Sequence, residues 1–241
     1  MMIRLGNFLF RYRNLLFPLV FALMVLGLWL PLVANRQVQA WMLGIGFVVS
    51  LVGQLVRALT IGLDYIRRGG KNKAVYAEKL VRTGIFAHCR NPLYLGNLMM
   101  IAGLGIMSNS LLFSLVGVPF FIVAYWAIIL AEEHFLRGKF GEEYLRYCAE
   151  VPRLIPRLTG ISETILGMSF HWKRLIVKEY QTIYIWGLGA VIFLMEYEYA
   201  TRNLVGSSAP QLNGLYVVVA GWTALFLAAW IMKKRKILRK D

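Results

Sequence analysis

Acidic residues are scarce in this chain of 241 residues: 12 Asp+Glu stand against 27 Lys+Arg, a formal net charge of +15. Charge of either sign is also thin, at 16% of residues against about 25% in an ordinary soluble domain. A chain this long with so few charges cannot wet the surface of a soluble fold. Two cysteines exclude a disulfide-stapled secreted domain. What fills the gap is apolar: 59% of the residues are hydrophobic, which also excludes disorder. A polytopic membrane protein remains.

The uncharged runs divide the chain. Residues 15–34 form the first, 20 residues long, enough to cross about 30 Å of hydrocarbon. Arg4, Arg11 and Arg13 precede it; no small-residue cleavage site follows, so it is read as a retained span rather than a signal peptide. Residues 38–63 read as a second helix interrupted by one charge, Arg57. Residues 92–131 are 40 uncharged residues, twice what one span needs, so they must turn; Ser108-Asn109-Ser110 is the turn signal. Residues 180–195 and 214–232 supply a fifth and a sixth span, joined by a loop over 206–214. The expectation is an all-α, polytopic helical membrane protein with about six transmembrane helices.

The basic residues sort by loop. Those before the first span, in 64–92, in 132–179 and in the tail number 24, and only Arg36 and Arg202 fall on the other side. Such a split predicts both termini in the cytoplasm and an integral protein of the cell inner membrane. It accounts for most of the net charge, so no nucleic-acid partner is expected.

The chemistry-bearing residues gather at the cytoplasmic face. Asn91-Pro92 is a helix-start signal, with Asn as cap and Pro at the first position. The free N–H groups of such an end favour an anion. Leu93, Tyr94 and Gly96 follow in the first turns, Gly96 making room beside Tyr94. Glu132-Glu133 close the fourth span, where two carboxylates oppose the helix dipole and call for a base such as Arg90 at the same depth. Arg57 is an arginine within a span, which insertion scales penalise by about 2.5–3.5 kcal/mol. It reads equally as functional or as snorkelling toward the nearby loop. Residues 140–147 resemble an amphipathic surface helix, followed by an extended Pro-Arg strip over 151–157.

The order of these elements resembles the integral-membrane methyltransferases of the isoprenylcysteine carboxyl methyltransferase and phospholipid methyltransferase superfamily. The matching pieces run from Leu80-Val81-Arg82-Thr83-Gly84, through Arg90-Asn91-Pro92-Leu93-Tyr94-Leu95-Gly96 and Glu132-Glu133, to Phe140-Gly141, Tyr144, Tyr147 and Val151-Pro152-Arg153. The resemblance implies S-adenosylmethionine as methyl donor, released as S-adenosylhomocysteine, at a cytoplasmic-face site. It implies that Arg90, Asn91, Pro92, Leu93, Tyr94, Gly96, Glu132, Glu133, Tyr144, Tyr147, Pro152 and Arg153 hold the cofactor. Arg57 falls where the family places an arginine that acts on the lipid substrate, and Glu133 joins it as a catalytic candidate. Carboxyl-methylating members usually carry His before the proline, and phospholipid-methylating members can carry Asn, as here. The acceptor therefore stays open between an isoprenylcysteine-like carboxylate, a phospholipid amine and another lipid. The expected partners are a membrane lipid or lipidated substrate and the bilayer itself.

On this reading residues 1–52 form N-terminal spans, the second continuing to about 63. Residues 53–160 form the methyltransferase core, and 161–241 a C-terminal extension with two spans and a basic tail. Two other classes were weighed. A sterol-reductase-like NADPH enzyme carries a similar proline-tyrosine-glycine motif but usually more spans. A transporter should place several ionisable residues at mid-membrane, whereas only Arg57 lies there. His88, Cys89, His134 and Cys148 match no usual zinc spacing, so no metal is expected. Cys89 is not expected to act as a nucleophile.

Overall fold

The computed structural model describes residues 1–26, 30–63, 76–205 and 212–235. Within these residues the α-helical elements follow in order: α1 Met2–Leu26, α2 Arg36–Leu63, α3 Pro92–Ser108, α4 Val118–Glu150, α5 Ile161–Leu166, α6 Trp172–Val205 and α7 Leu212–Lys234. A short 3-10 turn, Gly84–Ala87, precedes α3, and a π turn, Phe113–Gly117, leads into α4. No strand of a sheet occurs among the described residues, so the all-α expectation holds. The basic stretch 64–75, most of the 206–214 loop and the end of the basic tail lie outside the described residues.

Among the described residues four helices are long and apolar enough to cross a membrane: Met2–Val25, Arg36–Leu63, Phe113–Glu150 and Gly214–Lys234. α3 is apolar but shorter. α6 is long but carries Lys178, Glu179, Glu196 and Glu198.

α2 and α3 run antiparallel in the closest pairing of the molecule, because glycines meet across it. A Cβ on Gly53 would lie 2.6 Å from the Gly96 carbonyl oxygen, and one on Gly46 would lie 2.5 Å from that of Gly103. Both helices repeat their glycine after seven residues, two helical turns, so the contact recurs along one face. α1 lies along α4, where Leu9 and Phe10 join Tyr94, Phe121, Tyr125 and Ile128 in one buried cluster. α6 packs on α2 and carries α7 on its other side.

The turn expected at Ser108-Asn109-Ser110 is present. Asn109 closes α3 in a left-handed conformation (φ 47°), which Asn tolerates better than most residues. Its side chain accepts from the Val33 N–H at 3.0 Å and donates to the Val33 carbonyl at 2.9 Å, tying the hairpin to the α1–α2 connection.

Two boundaries differ from expectation. The first helix starts at Met2 and ends at Leu26, so Arg4, Arg11 and Arg13 lie on it rather than before it. Helix periodicity extends through these arginines because their long stems cover apolar neighbours; the guanidinium of Arg13 lies 4.1 Å from the Phe10 ring centre. Glu132 and Glu133 do not end a helix: α4 runs on past them to a kink at Gly141, where φ is +50° and the backbone leaves the helical region, and a second helical piece then reaches Glu150. The argument from helix-end dipoles does not apply to them. The segment that follows Gly141 is a short helix of its own, set off by that kink, with Tyr144 and Tyr147 buried and Glu142, Glu143 and Arg146 exposed, as the amphipathic pattern over 140–147 suggests.

Candidate active site

Glu132 and Glu133 of α4 are buried, at 5% and 7% exposure, and adjacency in sequence sends them to different partners. One residue along a helix is a turn of about 100°. Glu132 accepts a 2.6 Å hydrogen bond from the Tyr94 hydroxyl, which in turn accepts from Arg13 Nη1 at 3.1 Å. Glu133 instead receives Arg153, whose Nη2 donates to Oε2 at 2.8 Å and whose Nε lies 3.1 and 3.2 Å from the two oxygens. Arg90 Nη1 stands 3.7 Å from Glu133 Oε1 and also donates to Cys148 Sγ. The meeting of Arg90 with the α4 carboxylates therefore occurs, on the Glu133 side.

Asn91 is the N-cap of α3 with Pro92 behind it, but its side chain does not cap. The Asn91 carbonyl closes the first turn, accepting from the N–H groups of Tyr94 at 3.1 Å and Leu95 at 3.0 Å. That leaves the side-chain amide to donate to Glu133 Oε1 at 3.3 Å and to the Arg153 carbonyl at 3.2 Å. Few N–H groups at this helix end are thus free for an anion. The strip after α4 is fastened to the same place: the Arg90 N–H donates to the Pro152 carbonyl at 2.9 Å, and the Arg157 N–H to the His88 carbonyl at 2.9 Å. Favourable interaction with Glu133 raises the Arg153 pKa further, so that side chain stays a cation.

Arg57 is not snorkelling. Its Nε donates to Glu179 Oε2 at 2.9 Å, Nη2 is ion-paired with Glu179 Oε1, and Nη1 donates to Asn97 Oδ1 at 2.6 Å. Nη1 also lies 3.4 Å from the Leu93 carbonyl. Gly96 is required here: a Cβ at that position would lie 2.5 Å from Arg57 Cγ. The room that Gly96 provides serves Arg57 rather than Tyr94.

These groups face one cleft of about 920 Å³. Its polar lining includes Arg13, Arg57, Asn91, Tyr94, Glu132 and Glu179. Its apolar lining includes Phe17, Phe21, Leu104, Tyr125, Trp186 and Phe226. Of the residues expected to hold a cofactor, Asn91, Pro92, Leu93, Tyr94 and Glu132 line this cleft. Arg90, Glu133, Pro152 and Arg153 stand behind it in the ion cluster. Tyr144 and Tyr147 pack with Ala77, Leu136 and Val151 in a separate core, where the Tyr147 hydroxyl donates to the Phe86 carbonyl at 2.7 Å.

Glu179, Arg13 and Asn97 belong to the site but not to the residues expected from sequence. The one available signal for Glu179 was a carboxylate just before the apolar run 180–195, at a depth suited to Arg57. Cys89 is enclosed, and burial pushes its thiol up to about 11 despite the opposing effects of the Asn91 backbone and the Arg90 charge. His88 uses both ring nitrogens, on the Arg157 carbonyl at 2.9 Å and Thr164 Oγ1 at 2.8 Å. Among the described residues no group of three or more ligating side chains could hold a metal ion.

Fold and site together define an integral membrane protein of packed helices with an enclosed set of carboxylates, arginines and a tyrosine. Residues 19–143, just over half of the chain, match the phospholipid methyltransferase family, and the chain belongs to that family of membrane methyltransferases. It is 36% identical over 115 residues to the cobalt-zinc-cadmium resistance protein CzcN of Cupriavidus metallidurans, covering 48% of each chain. It is 34% identical over 115 residues to the nickel-cobalt-cadmium resistance protein NccN of Alcaligenes xylosoxydans xylosoxydans, again 48% of each. It is 28% identical over 123 residues to protein-S-isoprenylcysteine O-methyltransferase B of Arabidopsis thaliana, covering 48% of this chain and 60% of that one. The first two names state a resistance, not a reaction. The chain spans about half the length of the curated relatives it matches. No solved structure matches it.

Proposed function

We propose that this protein transfers a methyl group from S-adenosylmethionine to a lipid-soluble acceptor at the cytoplasmic face of a cell inner membrane. The observation that carries the reading is the cleft itself, whose lining joins a Tyr94–Glu132 pair and an arginine with many apolar side chains. A sulfonium cation suits a carboxylate flanked by aromatic rings, and Tyr94 and Tyr125 stand 5.6 Å apart beside Glu132. Arg90 Nε is buried and without a hydrogen-bond partner in the structure, a donor left over in the ion cluster behind the cleft.

S-adenosylmethionine supplies an electrophilic methyl group and leaves as a neutral thioether. The residues here bind and align. Tyr94 fixes the Glu132 carboxylate, so its charge stands ready without reorganisation. A single carboxylate is a modest counter-charge, which suits a reaction in which the cation's charge is lost from sulfur. Glu133 positions rather than reacts, holding Asn91, Arg90 and Arg153 in place. An amine acceptor must also lose a proton, and Glu132 is the cleft carboxylate placed to take it directly or through water. A water-soluble donor and a lipid acceptor can each reach such a site from its own phase.

The 24-to-2 distribution of basic residues supports cytoplasmic termini. Six spans follow if α3 and α6 cross along with the four longer apolar helices. The test is calorimetric binding of S-adenosylhomocysteine to the detergent-purified protein. Micromolar binding, weakened about tenfold by Glu132→Gln, is expected. A folded sample that binds none, with or without added lipid, refutes the assignment.

A further inference from the structure

A lone arginine in a lipid cleft would take a substrate carboxylate in its two-nitrogen fork. In this protein the fork is already filled. Glu179 engages both Nε and Nη2 of Arg57, while Nη1 is directed to Asn97 and the Leu93 carbonyl. Glu179 is 2% exposed, and Gln54 Nε2 lies 3.4 Å from its Oε2. A carboxylate entering the fork would leave Glu179 buried beside a second anion and without its counter-ion. Glu179 belongs to α6, beyond the residues 19–143 that carry the family match.

We infer that Glu179 determines acceptor specificity: by closing Arg57 into an ion pair, it makes the cleft refuse lipid carboxylates and admit headgroups that are neutral or cationic at the reacting atom. The inference rests on the proposed methyl transfer for its meaning, but what it describes is a binding preference. Two other cations face the cleft. Arg13 is held by the Tyr94 hydroxyl and stacked on Phe10. Lys178 is exposed, where water and salt screen it. Neither presents an open fork at the depth of Arg57.

The experiment uses the full chain in lipid nanodiscs and two probes that differ in one charge, an S-prenylated N-acetylcysteine and its carboxamide. Wild type should bind the carboxamide at least as tightly as the acid. Glu179→Gln, which opens the fork, should shift the ratio of affinities toward the acid by about tenfold. The double variant Arg57→Gln/Glu179→Gln should abolish that preference. A wild type that favours the acid tenfold, a carboxamide that does not bind, or a ratio unmoved by Glu179→Gln overturns the inference. If Glu179→Gln does not fold, the wild-type ratio and the double variant still decide. S-adenosylhomocysteine is titrated into the same samples. Its failure to bind refutes the methyltransferase reading and leaves the acid-to-amide ratio standing; a failed ratio with intact S-adenosylhomocysteine binding refutes only the role of Glu179.

Discussion

Tyr94 and Glu132 stand on different helices, 38 residues apart, and meet through a 2.6 Å hydrogen bond inside the protein. The pair joins the start of α3 to the middle of α4, and Arg13 of α1 closes it from the far side. Three helices therefore converge on one carboxylate.

Tyr94→Phe keeps the ring in its aromatic cluster and removes only the hydroxyl. Glu132 then stays buried with one donor fewer, which costs about 1–3 kcal/mol. Chemical unfolding in detergent should show that loss. Adding Tyr94→Phe to Glu132→Gln should cost much less than the sum of the two single changes. Additive effects would mean that the bond carries no coupling.

Arg57→Gln leaves Glu179 as an unpaired buried charge and should destabilise the protein by about 3–5 kcal/mol. Arg57→Gln/Glu179→Gln, which removes both charges, should recover most of that. Thermal unfolding of the two variants side by side decides; a double variant as unstable as the single one sinks the account of a self-compensating pair.

The α2–α3 contact predicts a contrast between glycines. Gly53→Ala places a methyl group 2.6 Å from the Gly96 carbonyl oxygen, and the helices must part, at a cost of about 1–3 kcal/mol. Gly44→Ala lies on the same helix with nothing within 4 Å and should be neutral or slightly stabilising. Equal melting temperatures for the two would show that the contact is loose.

Cys89 should resist alkylation by iodoacetamide at pH 8, because its thiol is held up to about 11 and almost no thiolate exists there. The linkage follows in sign. The ordinary value is 9.0 and the folded value is higher, so burial of the neutral thiol contributes fully below pH 9. That contribution is lost as the pH rises toward 11, because the unfolded chain ionises first. Mass spectrometry of labelled native protein, with Cys89→Ala as reference for the pH dependence of unfolding, checks both statements. Rapid native labelling of Cys89 at pH 8 would contradict its burial.

Much of the architecture was legible in the chain alone. The uncharged run over 92–131 was too long for one span, and the turn falls at Asn109 as its local chemistry suggests. Asn91-Pro92 marks the start of α3 because proline lacks the N–H that a helix interior needs. The end of α4 was not legible. Glu132-Glu133 looks like a polar stop, yet a helix continues through charges whenever neighbouring helices supply partners, and here Tyr94 and Arg153 do. The break comes eight residues later at Gly141, whose positive φ only glycine adopts freely.

Composition and pattern along the chain were enough to establish a set of apolar helices with the basic residues gathered between the uncharged runs. Hydrogen bonds within a helix are local, and bilayer thickness sets the length of a span. Which of two adjacent glutamates faces the cleft, and the pairing of Arg57 with a carboxylate 122 residues away, came from packing alone. Those outcomes depend on how helices rotate and pack against one another, through contacts between residues that no interval along the chain relates.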